Sequence, residues 1–507
     1  MREKLDHFRG IPEYVIISAF QDALSLTTFL SVVTGVLIGI IIGAIPGLNA
    51  PMAMAVAIPL TFTMAPLAAI GMLVGVMKGG GFGGAVGAIL LNTPGEPHSA
   101  ATTLDGHPMA KAGKPHRALQ TALYSSVAGD TCSDIVLILL APTLTLFALK
   151  AGPVELSAIL IISLTLIASL SGRSLAKGIF AAALGAFLAT VGIDPETASP
   201  RFTFGFIEVF DGLPLAAVAI GILAVPEIFE RLREGRTHRE STEEVSMSDG
   251  DDRMPFREWL GLRTAVLRGA GIGTTIGAMP GLGTTLAAFL SYTATKRFSK
   301  NPEKLGTGAP EGIAATESAN SAVSGANLIP LLTLGIPGNL TAALLVGAFL
   351  IHGVTPGPLI FERDAQLVYG LFAAMMMANV LVLVLGSLGL RMFAMIVKVP
   401  PYLIYPIVLL LCVVGIYVSQ GGFFAVWLML GFATLGWFML KLEISVVCFI
   451  IGLVLGPMIE LSIRQSVILL SRNPMAIFEH PFALVLVVAT PIVAWILVRD
   501  RQRLSDG

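Results

Sequence analysis

Apolar stretches long enough to cross a bilayer, about 20 residues each, follow one another along most of the chain. They run from 25 to 45, 51 to 77, 118 to 149, 154 to 171, 175 to 192 and 205 to 228, and then stop. They resume from 262 to 295, 309 to 350, 366 to 397, 401 to 418, 421 to 440, 443 to 459 and 481 to 498. Between the two series, residues 231–258 (RLREGRTHRESTEEVSMSDGDDRMPFRE) crowd charges of both signs and offer little to bury, the pattern of a solvated linker. The reading is a first membrane unit over 1–230, the linker over 231–258 and a second membrane unit over 259–507. Segment length predicts about ten to twelve crossings.

Composition agrees. Of 507 residues 55% are hydrophobic and 13% charged, against about a quarter charged in soluble globules. This is the profile of an all-α integral membrane protein. The net charge of -1 supplies no basic field for nucleic acid. Arg2, Lys4 and Arg9 make the N-terminus basic, but Pro12, Glu13 and Asp22 interrupt any signal-peptide core, so an interfacial helix leading into the first span is expected. Cys132, Cys412 and Cys448 are isolated, without metal-ligand or disulfide spacing, and read as core thiols.

The two units repeat one another. GVLIGIIIGAIPGL (35–48) matches GAGIGTTIGAMPGL (269–282) with Gly35, Gly39, Gly43 and the PGL in register, and LLNTPGEPHSAATT (90–103) matches TLGIPGNLTAALLV (333–346). Each unit thus carries two Pro-Gly breaks in the same order, the arrangement that marks binding sites in secondary transporters built from broken helices or hairpins. Lys and Arg placement predicts inversion. Lys296, Arg297, Lys300 and Lys304 follow the first break of the second unit, while the turn at 62–66 of the first unit has none. After the second break the bias reverses: Lys111, Lys114 and Arg117 stand in the first unit, and only Arg363 lies between 352 and 364. Cytoplasmic loops collect Lys and Arg, so the swap implies opposite orientations.

A Pro-Gly break ends one helix and starts another, freeing backbone N–H and C=O groups that lipid cannot satisfy. Freed N–H groups at a helix N-terminus suit a carboxylate, and freed carbonyls suit a cation. The candidate substrate ligands are therefore Gly47, Gly95, Gly281 and Gly338, with Asn49, Thr102, Thr284 and Thr341 fixing orientation. Glu317, in the small-residue run AATESANSAVSGAN, is the candidate coupling-ion carboxylate, with Asn320 and Asn92. The alternative for the glycines is close helix packing through small-x-x-x-small faces, which accounts for Gly39, Gly43, Gly273 and Gly277 but not for the polar residues after each break. Glu96, His98 and Asp105 have the alternative of capping helices at the water interface. Lys78, alone among glycines, could meet an anion or pair with a carboxylate; Asp130 and Asp134 share one helix face at i, i+4 and face protein or water.

GAIPGLNA, GGGFGGAVGAILLNTPGEPHSAATTLDGHPMAKAGKPHRAL, GAMPGLGTT and GIAATESANSAVSGANLIPLLTLGIPGNLTAALLVGAFLIHGVTPGPLIF together resemble the large membrane subunit of the tripartite tricarboxylate transporters, the TctA-like family, over nearly the whole chain. The resemblance implies a bacterial inner-membrane, multi-pass importer of carboxylates such as citrate, driven by a sodium or proton gradient and needing no other cofactor. It also implies a small membrane subunit of about four helices and a periplasmic solute-binding protein as partners. Phe82 stands where the family pattern has tyrosine, and Ser321 where it has a second asparagine after ESAN. The alternatives are a transporter of another small anion, an intramembrane enzyme and a channel. No phosphate-loop or G-x-S-x-G signature supports an enzyme, and a channel would need a repeated filter or charged ring.

Overall fold

The computed structural model describes residues 13–45, 47–170, 174–234, 253–396, 401–472 and 474–505. In chain order the helices are α1 (Glu13–Ala23), α2 (Leu26–Ala44), α3 (Ala50–Thr61), α4 (Pro66–Leu91), α5 (Ser99–Lys111), α6 (Pro115–Ala148), α7 (Pro153–Leu170) and α8 (Leu175–Leu188). A two-residue ribbon, β1 (Gly192–Ile193) with β2 (Pro200–Arg201), precedes α9 (Leu215–Ala219) and α10 (Val225–Glu234), which are joined by a π-helical turn. The second series is α11 (Phe256–Leu260), α12 (Arg263–Gly277), α13 (Gly283–Phe298), α14 (Pro310–Ala326), α15 (Leu328–Leu334), α16 (Leu340–Ile351), α17 (Ile360–Arg363) and α18 (Ala365–Ile396). It closes with α19 (Pro401–Gln420), α20 (Phe423–Lys441), α21 (Val446–Arg472) and α22 (Pro481–Ser505). Among the described residues, six helices are long and apolar enough to span a membrane and six shorter apolar helices accompany them. The protein is an all-α, multi-pass membrane protein.

Glycines set how the first helices of each unit meet. A side chain on Gly35, Gly39 or Gly43 of α2 would run into the backbone of Met72, Val76 or Gly80 of α4, a constant offset that makes α2 and α4 parallel. In the second unit Gly269, Gly273 and Gly277 of α12 lie in the same way against Ala315, Ala319 and Val323 of α14. Without Cβ atoms the backbones approach to a distance no larger residue allows, and in lipid that packing is what holds helices together. Two parallel neighbours need a return between them, and the short α3 and α13 provide it: Ala50 abuts Gly80, so α3 runs back along α4 from mid-depth. α2–α3 and α12–α13 are therefore helical hairpins, with Gly47 and Leu48 at the tip of the first and residues 280–282 at the tip of the second. The apolar run at 51–77 is accordingly not one span, because the turn at 62–65 and Pro66 at the first position of α4 divide it.

The remaining breaks interrupt α4–α5 and α15–α16. Asn92 ends α4 in the left-handed conformation at φ 55°, as Gly335 ends α15 at φ 75°. The chain then doubles back so that Ser99 lies beside Gly84, and α5 resumes the direction of α4, with His107 Nδ1 3.0 Å from the Ile89 carbonyl. Across the units α5 packs against α13, α16 against α3, α6 against α14 and α18 against α4.

The ends of these elements define two faces. Asp105 of α5 accepts hydrogen bonds from the Tyr292 hydroxyl of α13 (2.9 Å) and from the amides of Gly306, Gly308 and Ala309 (2.8, 2.9 and 2.8 Å). Gly308 also abuts the backbone of Met109. The C-terminal ends of α5 and α13 thus share one face, which holds Lys111, Lys114, Arg117, Lys296, Arg297, Lys300 and Lys304. The ends of α3 and α16 meet at the other face, where Phe62, Leu350 and Ile351 line a cavity of about 690 Å³ together with Arg201, Glu460 and Arg464. Most of the charged linker, 235–252, lies outside the described residues. Its final segment is not freely solvated: Met254 is buried and donates its amide to Gln120 Oε1 (2.6 Å), and Glu258 pairs with Arg117.

The loop between α8 and α9 is pinned by charge. Asp194 receives Arg464 Nη2 at 3.0 Å and the amides of Glu196 and Thr197, and the Arg464 guanidinium, followed by these amides, holds its carboxyl well below the ordinary value of 3.8. A group depressed in the folded state stabilises above its unfolded pKa and keeps contributing as pH falls through the usual carboxylate range. Protection of the Glu196 and Thr197 amides from hydrogen exchange is expected to persist at pH values where free aspartates titrate, and to be lost at every pH in Asp194→Ala, which removes the acceptor. Equal protection in the two proteins would contradict this.

Candidate functional site

The structure joins the four glycine corners in two pairs, one within each unit. In the first, a side chain on Gly95 would meet the carbonyls of Gly43 (3.0 Å) and Leu48 (3.3 Å), which brings the broken helix onto the hairpin tip. Gly47 makes the tip's turn at φ 86°. In the second, the Gly281 amide, at φ 92°, donates to the Gly338 carbonyl at 2.9 Å. A side chain on Gly338 would in turn run into Asn327 Oδ1 and meet the Gly277 carbonyl at 3.5 Å. Each hairpin tip is therefore docked on the broken helix of its own unit.

The four helix starts at these corners are not alike. Two are closed. Asn49 caps α3 by accepting from the Met52 amide at 2.9 Å, and Glu96 Oε1 accepts from Ala50 N at 2.7 Å. At the start of α16, Asn339 accepts from the Ala342 amide at 2.9 Å. Ile45, Leu48, Ala50 and Ile336 beside these starts are buried. Asn49 thus spends its acceptor on its own helix, which is what an N-cap asparagine does. Thr341 is half-buried next to the Asn339 cap.

The other two starts lack that closure by a side chain. Neither α5 nor α13 has a side-chain cap, and these two helices are neighbours that run the same way to the basic face. Around them Asn92, Thr93, Pro94 and Met279 are exposed and Thr284 is half-buried. Nothing lies within 4 Å of a Cβ built on Gly283 at the start of α13. At the start of α5, the buried Ser99 hydroxyl and His98 Nε2 have no hydrogen-bond partner, and His98 Nδ1 lies 3.3 Å from Glu96 Oε2. The first amides of α5 turn to the Glu96, Pro97 and His98 carbonyls (3.0, 3.3 and 3.1 Å), so the seat for an anion is formed by the free N–H groups and positive dipole end of α13, with the unpartnered Ser99 and His98 side chains on the neighbouring α5.

One turn along α5 from Ser99, Thr102 is directed away from that seat. Its hydroxyl donates to Glu317 Oε1 at 2.5 Å, while Ser126 of α6 donates to Oε2 at 2.9 Å. Glu317 is fully buried, and Asn320 beside it has a buried amide Nδ2 without a partner. Thr102 therefore belongs with the Glu317 group rather than with the substrate glycines. Asn92 stands apart from this group in burial, exposed as the left-handed cap of α4.

Three participants escape a reading of the sequence: Asn327, Ser126 and Asn379 sit in ordinary helical surroundings. Asp130 and Asp134 are visible as a pair but gain meaning only through Lys78. The lysine donates to Asp130 Oδ1 at 3.1 Å and to Asp134 Oδ2 at 2.8 Å, and Asn379 Nδ2 donates to the same Asp134 oxygen at 2.8 Å. Lys78 is thus ion-paired, not free for a substrate. The i, i+4 spacing of the two aspartates was the available signal; their partner lies 52 and 56 residues away.

The family model described as the tripartite tricarboxylate transporter TctA family matches residues 29–451. The chain is 34% identical over 464 residues, 92% of each chain, to an uncharacterized 52.8 kDa protein in the TAR-I ttuC' 3' region of Agrobacterium vitis. It is 35% identical over 212 residues, 42% of this chain and 87% of the relative, to an uncharacterized protein in the TAR-II ttuC' 3' region of the same organism. No solved structure matches. The chain belongs to the tripartite tricarboxylate transporter TctA family.

Proposed function

We propose that this chain imports tricarboxylates or related carboxylates, citrate among them, across the bacterial inner membrane by alternating access coupled to a sodium or proton gradient. The observation that carries the reading is the pair of neighbouring starts of α5 and α13 without side-chain caps, that of α13 with its amides free, set against the asparagine-capped starts of α3 and α16. In a protein of two inverted units, 1–230 and 259–507, such a difference is the signature of one access state: exchange of the two environments opens the opposite pair. Inversion is supported by the parallel course of α5 and α13, one from the second break of its unit and one from the first, toward a shared Lys- and Arg-rich face. That face is cytoplasmic by the positive-inside rule.

The carboxylate is held by N–H groups at the start of α13, near Gly281 and Gly283, with Thr284 and, from the α5 side near Gly95, the unpartnered Ser99 hydroxyl as orienting groups. Gly47, Asn49, Gly338 and Thr341 take the equivalent part in the alternate state. Membership of a tripartite family implies partner subunits; we assign a small four-helix membrane subunit and a periplasmic binding protein that delivers substrate at the face bearing the 690 Å³ cavity. Glu317, with Asn320, carries the ion linkage, because Thr102 ties its carboxylate to the helix that holds the substrate. Reconstituted with its partners, the transporter should accumulate labelled citrate only under an ion gradient. Glu317→Gln replaces one acceptor oxygen facing two hydroxyl donors, a loss of about 1–3 kcal/mol, and should weaken the gradient dependence. Citrate movement that ignores every imposed gradient would refute coupling, and unchanged ion dependence in Glu317→Gln would remove that residue from it.

A further inference from the structure

Ser126, Asp130 and Asp134 form one stripe on α6, spaced at i, i+4 and i+8. Ser126 holds Glu317; the two aspartates hold Lys78 of α4, and all three charged side chains are at most 6% exposed. The charges do not balance. One ammonium faces two carboxylates, and among the described residues no second cation is paired with either aspartate. Two acceptors also stand open at the same place: Asp134 Oδ1 and Asn379 Oδ1 are buried without a hydrogen-bond partner, although the Asn379 amide nitrogen is bonded to Asp134. An uncompensated buried carboxylate is strongly disfavoured.

The surroundings supply nothing else to balance it. From α14 comes Glu317, which adds negative charge; α15 has no titratable residue, and α18 contributes Asn379 without a charge there. Asp105 of α5 is held by Tyr292 and loop amides, and Arg268 of α12 is turned to Thr295 (3.3 Å). Asp134 Oδ1 and Ser133 Oγ fill the place a side chain on Gly325 would take, so the open oxygen is packed against α14 rather than set in a coordination shell. That favours the smallest cation.

We propose that the Lys78–Asp130–Asp134–Asn379 cluster binds the coupling proton, which adds to a lone pair of Asp134 Oδ1 and leaves it when the cluster meets water at the other face. This rests on the coupled-import reading, and moves the seat of the ion along α6 from Glu317. Protonation leaves one positive and one negative charge, and Asn379, whose amide nitrogen is bonded to the other Asp134 oxygen, keeps an amide oxygen without a partner in the same cluster. The substrate seat is then joined to the proton through Ser99 and Thr102 of α5, Glu317, and the α6 stripe.

The test uses the full chain in lipid nanodiscs and infrared difference spectra of the carboxyl C=O stretch across a pH titration, with no substrate present. The wild type should show a titrating protonated-carboxyl band. Asp134→Asn and Asp130→Asn each leave Lys78 with a single carboxylate, so each should fold and each should lose the band. In proteoliposomes containing the partners, both variants should keep citrate counterflow, which needs no gradient, and lose accumulation driven by a pH gradient. A band unchanged in both variants overturns the proposal, as does wild-type accumulation driven by sodium alone without proton uptake. Absence of citrate counterflow in the wild type would instead count against the substrate reading, while the infrared band still decides the proton site.

Discussion

Lys78→Met is expected to remove most of the folded protein from the membrane. The substitution keeps the aliphatic stem but strips the ammonium from between Asp130 and Asp134, whose only counter-charge among the described residues it is. Breaking a buried ion pair by deleting one partner costs about 3–5 kcal/mol, because the other partner stays buried and unpaired. That is a large share of the roughly 5–15 kcal/mol that holds a typical protein folded. Combining Lys78→Met with Asp130→Asn and Asp134→Asn removes the charges together and should restore much of the loss. The measurement is the melting temperature of the detergent-solubilised protein and the yield of the monodisperse species. A single variant that melts like the wild type would mean that Lys78 does not hold these helices together.

The second large effect is expected at Gly281. At φ 92° a side chain is strained, and a Cβ there would come within 2.8 Å of the Ile167 backbone nitrogen and 3.0 Å of its Cα, groups that cannot swing aside. The left-handed conformation alone costs about 1–2 kcal/mol, and the steric clash adds to it. The same glycine donates to the Gly338 carbonyl, so displacing it undocks the hairpin tip from the broken helix. Gly281→Ala should therefore abolish citrate uptake in cells carrying the complete system. Gly283→Ala, two residues on at φ 72°, meets nothing within 4 Å and bears only the conformational cost. Uptake should survive there at a reduced level. Equal activities in the two variants would argue that tip docking is not required.

How much of this was legible in the sequence depends on the range of each interaction. The PGL repeat, the paired breaks and the Lys and Arg placement are local features, and they announced the helix interruptions and the basic face directly. The hairpin fold of α2–α3 was harder to see. Hydropathy treats 51–77 as one apolar run, and only the glycine spacing of α2 against α4 reveals that the chain turns back at Pro66. Side-chain partnerships are harder still. Thr102 follows a Pro-Gly break and reads as a substrate ligand, but the helix turns its hydroxyl toward Glu317, 215 residues away. Asn49 reads as a free polar group beside the freed backbone, yet that freed backbone is what it caps. Asn379 carries no signal at all in a leucine- and methionine-rich helix, since its role is set by Asp134, 245 residues away. Local chemistry shows where helices break; it does not show which broken end remains open.

The most direct test is therefore made at one open end and one closed end. In a background lacking Cys132, Cys412 and Cys448, Thr284→Cys and Asn49→Cys are compared for their rate of reaction with a small maleimide, with and without citrate, in transport-competent proteoliposomes. Thr284→Cys, at the bare start of α13, should label readily and be protected by citrate, while Asn49→Cys, at the closed start of α3, should label slowly. If citrate at transport-saturating concentration leaves Thr284→Cys labelling unchanged, the carboxylate does not sit at these helix starts and the account fails.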